Sequence, residues 1–173
     1  MFLYLLLSSI AAGLLATLVM VIFLYLPILW DGDYYDVLGA IGSVLTKEVD
    51  ARSRLIGGIL YFLFGILFAL IYGWLTLGML RESLFDLPQI IIFSGLPVEI
   101  NLIYPLVGLL VGFSHGIFVA LLVTVIIEHH PISSFRTRYI LILSQVISHL
   151  AYGATVMFFH SQFLPLFLGQ AVA

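Results

Sequence analysis

The charged residues of this chain are confined to three windows, Asp31 to Arg54, Arg81 to Glu99 and Glu128 to Arg138. Between and around them lie four uncharged stretches, Met1 to Trp30, Leu55 to Leu80, Ile100 to Ile127 and Tyr139 to Ala173. A helix needs about 20 apolar residues to cross roughly 30 Å of hydrocarbon, and each stretch exceeds that. Strands of a membrane barrel would alternate polar and apolar positions over about ten residues, and no such alternation appears. The pattern predicts an all-α protein: a four-transmembrane-helix bundle, antiparallel and up-down, forming one integral membrane domain over residues 1–173. The spans are placed at 3–29, 55–79, 102–127 and 139–164. The first lacks a basic leader and a small-residue cleavage pattern, so it is read as a permanent span.

The connectors have their own patterning. In the first, Tyr34, Val37, Leu38, Ile41, Val44 and Leu45 recur at helical spacing, with Asp36, Gly39, Ala40 and Ser43 on the other face. That predicts a short interfacial helix on the cytoplasmic surface. The preceding "WDGDYYD" resembles the start of a calcium loop without its glycine and twelfth-position carboxylate, and is read as an interfacial acidic cluster. The second connector is apolar and punctuated by Pro88, Pro97 and Pro105, which stop a continuous helix. "RSRL" and "RTRY" open the second and fourth spans, and Pro27 and Pro131 follow the first and third. Two similar hairpins are the expectation from that echo.

Composition supports the membrane reading. Hydrophobic residues make up 63% of the chain and charged residues 9%, against about 25% charged in soluble domains. With no cysteine, disulfides and thiolate-held metals or clusters are excluded. No basic tract suggests nucleic acid. Lys47, Arg52, Arg54, Arg136 and Arg138 fall in the first and third connectors, against Arg81 alone in the second. By the positive-inside rule those two connectors are cytoplasmic and both termini lie outside a bacterial inner membrane.

Lipid supplies no hydrophobic force between helices, so small residues that let backbones approach supply the packing. Gly108, Gly112, Gly116 and Ala120 form such a stripe in the third span; Gly65, Ala69 and Gly73 do so in the second. Ser9, Gly13 and Thr17 serve the first, and Ser144, Ser148 and Gly153 the fourth. At 1.5 Å per residue, His115 lies about 20 Å from Glu128 and His149 about 17 Å from Arg138, so both imidazoles reach the midplane, in one layer with Thr17 and Gly65.

Intramembrane ionisable groups are functional-site candidates by default. Three readings compete. His115 and His149 could be axial ligands of a haem, or one of them could hold the magnesium of a (bacterio)chlorophyll-type ring, with the glycines leaving room for the macrocycle. With Gln145 they could line a proton or substrate path. In the third reading they are neutral residues hydrogen-bonded to Thr17, Ser114, Ser148, Gln145 or a carbonyl. "EHH" at Glu128 to His130 is read as a solvated helix end, and His160 as interfacial. No cofactor is required by the pattern.

The run "SSIAAGLLATLVM", then "YYDVLGAIGSVLT", "GGILYFLFGILFALIYG" and "SHLAYG", resembles uncharacterised small bacterial four-helix integral membrane proteins over most of the chain. The resemblance implies the fold and no particular activity. Tyr61 stands where that pattern often has a histidine, which weakens an inherited two-histidine site in the second helix. With no nucleophile box, phosphate loop, zinc helix motif or carboxylate pair, the chain reads as a non-enzyme. Lipid-facing aromatics such as Phe62, Phe64, Phe68, Phe158 and Phe159 suit an accessory subunit among other integral membrane subunits of a larger complex, respiratory or photosynthetic electron-transfer complexes being the analogy.

Overall fold

Capping chemistry sets where several helices begin. The computed structural model describes residues 1–30, 32, 34–82, 101–135 and 139–170. Its α-helices are α1 (Phe2–Tyr25), α2 (Val37–Thr46), α3 (Ala51–Glu82), α4 (Ile103–Glu128) and α5 (Tyr139–Gln170). All but α2 are long and apolar enough to cross a membrane. Helix α3 starts earlier than its uncharged stretch because Asp50 and Ser53 cap it reciprocally. The Ser53 amide donates to Asp50 Oδ1 (2.7 Å) and the Asp50 amide donates to Ser53 Oγ (3.1 Å). Helix α2 is capped by Asp36, whose carboxylate accepts from the Gly39 amide, and ends at Lys47 in the left-handed conformation (φ 63°). Pro105 does not precede α4 but sits in its first turn, where an amide would have no helical partner. Helix α5 continues through Pro165. The second connector from Ser83 to Ile100, with Pro88 and Pro97, lies outside the described residues, as do Asp31, Asp33 and the arginines of "RTRY".

Two seams of small residues hold the bundle. Along α1 and α3, Ser9 and Gly13 face Ala69, and Thr17 faces Gly65. Along α4 and α5 the approach is closer still. A Cβ on Gly108 would strike the Gly153 carbonyl, one on Gly112 the His149 carbonyl, and one on Gly116 would crowd the Val146 backbone. Ala120 continues that buried edge of α4. Gly73 is the exception to the backbone seams: it faces the side chains of His160 and Leu5.

Helices α1 and α5 bury the larger share of their surfaces. Together with α3 they enclose the main core, in which Ala12, Ala16, Tyr72, Tyr152, Val156 and Met157 pack. Helix α4 attaches chiefly to α5 and has little backbone approach to α3.

Helix α2 packs on its small-residue face together with Val37 of the apolar one, and the far end of the apolar pattern is left uncovered. Val37, Gly39, Ala40, Gly42 and Ser43 are buried, whereas Val44 and Leu45 are exposed. The cause is again backbone approach: Gly42 lies on the Ser53 carbonyl and Gly57 on the Leu38 carbonyl.

Candidate functional site

Position on one face of α5 brings the polar groups together. Gln145, His149, Tyr152 and His160 follow one another at spacings of four, three and eight, and all four are buried. His149 is fixed by its own helix: its Nδ1–H donates to the Gln145 carbonyl at 2.7 Å, which leaves Nε2 as the acceptor nitrogen. Its ring meets that of His115 edge to face, centroids 4.8 Å apart and planes at 82°. The two imidazoles placed in one layer by helix arithmetic are therefore in contact.

His115 is half-buried. Its Nδ1 lies 3.3 Å from the Tyr72 hydroxyl, and its ring rests on Phe68 with centroids 4.1 Å apart. Its Nε2 is shielded and has no hydrogen-bond partner. Tyr152 completes the layer, packing edge to face on Tyr72 and donating to the Gly65 carbonyl at 2.5 Å.

Of the partners expected for the histidines, only Gln145 serves, and it does so through its carbonyl. Ser114 and Ser148 bond to carbonyls of their own helices, and Thr17 Oγ1 has no partner. The tyrosines were missed because hydropathy counts them as apolar; Tyr72 and Tyr152 lie on the faces that carry Ala69 and His149, which was the available signal.

Two histidines sit differently from the sequence reading. His160, read as interfacial, is fully buried between helices. Its Nε2–H donates to the Ala69 carbonyl and Nδ1 accepts from Ser8 Oγ, both at 2.8 Å, so it joins α1, α3 and α5. His130 is likewise buried, whereas Glu128 and His129 are exposed. The Ile132 amide donates to its Nδ1 at 3.0 Å, which leaves Nε2–H to donate to the Ala40 carbonyl at 3.0 Å and ties the end of α4 to α2. Among the aromatics expected to face lipid, Phe64 is exposed, but Phe68 covers His115 and Phe159 packs on the core.

The layer does not fit a macrocycle held by both imidazoles. Metal–nitrogen bonds of about 2 Å would put the ring centres roughly 6 Å apart with nitrogens facing each other, not edge to face at contact distance. The space beside Gly112, Gly116 and Gly153 is filled by the facing helix backbone. A ring held by His115 alone fits no better, because its Nε2 is enclosed by protein.

On the connector side, Asp36 forms the other polar centre. Its Oδ1 accepts from the Tyr25 hydroxyl (2.8 Å) and the Gly39 amide (2.9 Å), and Oδ2 pairs with Arg54 at 2.8 Å. Burial is the largest influence on its carboxyl and acts to raise its pKa. Hydrogen bonds from Arg54, Gly39 and Tyr25, with the Arg54 charge, outweigh burial and hold it below the usual value.

Comparison with known proteins found no matching family model, no matching curated protein and no matching solved structure.

Proposed function

We propose that this chain is a non-catalytic accessory subunit of a larger bacterial membrane assembly. It sits in the inner membrane as an antiparallel up-down bundle, with both termini outside and the first and third connectors cytoplasmic. Helix α2 lies at the cytoplasmic interface, its exposed Val44 and Leu45 turned to lipid. The observation that carries the subunit reading is the open side between α3 and α4. The two helices meet mainly through Phe68 and Tyr72 against a half-buried His115. With few backbone contacts between α3 and α4, a half-buried His115 leaves part of its ring uncovered, and a helix from another subunit seated there would cover it. Purification from native membranes in mild detergent, followed by mass spectrometry, tests this. Other integral subunits should copurify at fixed stoichiometry; recovery only as a monomer with a complete activity of its own would overturn the reading. Electron-transfer assemblies are the analogy, by architecture alone.

A second reading has a specific observation in its favour: the unpartnered His115 Nε2 beside His149. It makes the histidine layer part of a proton or small polar ligand path. In reconstituted vesicles His149→Ala should then abolish flux while the protein stays folded. Unchanged flux would count against it.

A further inference from the structure

The polar centre around Asp36 opens into a cavity of about 420 Å³, lined by Tyr34, Asp36, Val49, Arg54, Ser134 and Phe135 among others. Its lining is more polar than apolar. Arg54 stands in the first turn of α3, and Tyr34 follows a few residues after Leu29, where the first span ends. In a bundle that crosses a membrane, groups at the ends of two spans lie at the depth of the lipid headgroups.

Among the described residues the cavity holds one charge of each sign, and their ion pair uses only part of each group. Arg54 bonds Asp36 through Nε alone, so the guanidinium edge formed by Nη1 and Nη2 makes no hydrogen bond. Two parallel N–H donors on such an edge match two oxygens of a phosphate. Asp36 Oδ1 accepts from Tyr25 and the Gly39 amide, whereas Oδ2 accepts from Arg54 alone and keeps a lone pair. Both side chains retain accessible surface, 54% for Arg54 and 14% for Asp36, so neither is enclosed by protein. The Tyr34 phenol lies within electrostatic range of the guanidinium and is itself exposed.

The chemistry of the pair restricts the ligand. A donor edge beside a carboxylate acceptor, with no net charge, matches a phosphate beside an ammonium, also with no net charge. A purely anionic headgroup would bring its charge against Asp36 with nothing to offset it. A quaternary ammonium has no N–H to give to Oδ2.

We propose that this cavity binds the phosphoethanolamine headgroup of a membrane phospholipid, its phosphate on the free edge of Arg54 and its ammonium on Asp36. This goes beyond the subunit reading and does not depend on it. The test is native mass spectrometry of the purified full chain in detergent. It is titrated with phosphatidylethanolamine, phosphatidylcholine and phosphatidylglycerol of identical acyl chains, and with soluble O-phosphoethanolamine as competitor. Phosphatidylethanolamine should bind about fivefold more tightly than either other lipid, the value of one hydrogen bond, and the soluble headgroup should not displace it at equal concentration. Arg54→Gln should weaken that binding about tenfold, and Asp36→Asn, which keeps a cap for α2, should erase the preference over phosphatidylcholine. Equal binding of phosphatidylethanolamine and phosphatidylcholine, preference for phosphatidylglycerol, or undiminished binding by a folded Arg54→Gln variant would each overturn the proposal. Displacement by the soluble headgroup at equal concentration would overturn it too, by assigning the site to a water-borne phosphate compound. If the Arg54 variant does not fold, the comparison of lipids on the parent chain decides by itself.

Discussion

At the residue scale, the buried histidines His149 and His160 act as connectors through ring nitrogens that have set hydrogen-bond partners. His160 bonds a helix carbonyl with one nitrogen and Ser8 with the other. Ser8→Ala should therefore lower stability by about 1 kcal/mol, the usual value of an interhelical hydrogen bond in a membrane, read as a shift in thermal unfolding in detergent. Asp36 is the contrasting case. Its carboxyl is held below the ordinary range, so its ionised form stabilises the fold above the unfolded value of about 3.9, and that contribution disappears as pH falls through the lower folded value. Asp36→Ala should cost about 1–2 kcal/mol at neutral pH, and the gap to the parent protein should shrink in acid; a gap constant with pH would contradict the assignment. That His115 and His149 share one layer was legible because rise per residue is fixed. The burial of His160 and His130 was not, because position along an axis says nothing of which neighbour covers a face, and their partners Ser8 and Ala40 lie far away in sequence.

At the element scale, the four long helices follow directly from where the charges stop, and the small-residue seams from spacing. Extents were less legible: α3 begins at Ala51 because Asp50 and Ser53 cap it, and that capping box lies inside a charged window. The packing of α2 shows the limit of hydrophobic patterning in lipid. Where both surroundings are apolar, the face that docks is the one allowing backbone contact, and that is the glycine face. Gly42→Val should lift α2 from α3, and labelling of a cysteine placed at Ser43 should rise; Leu45→Ser should leave that labelling unchanged. Equal protection in Gly42→Val would mean that α2 is held elsewhere.

At the scale of the whole molecule, α5 is the hub. It packs along α4 and α1 and also reaches α3, whereas α3 and α4 leave a gap bridged by side chains. Sequence could not reveal that arrangement, because every long helix carries small residues and nothing in the spacing says which stripe meets which. The glycines themselves differ in a way that makes the packing testable. Gly112 has the His149 carbonyl against it, whereas Gly58, also within a spanning helix, has nothing within 4 Å of a Cβ position. The most direct measurement is thermal unfolding of Gly112→Leu and Gly58→Leu in nanodiscs. If bare helix surfaces meet inside the bundle, Gly112→Leu should lose about 1–3 kcal/mol or more, and Gly58→Leu should stay within about 0.5 kcal/mol of the parent. Equal stability of the two variants would contradict the account.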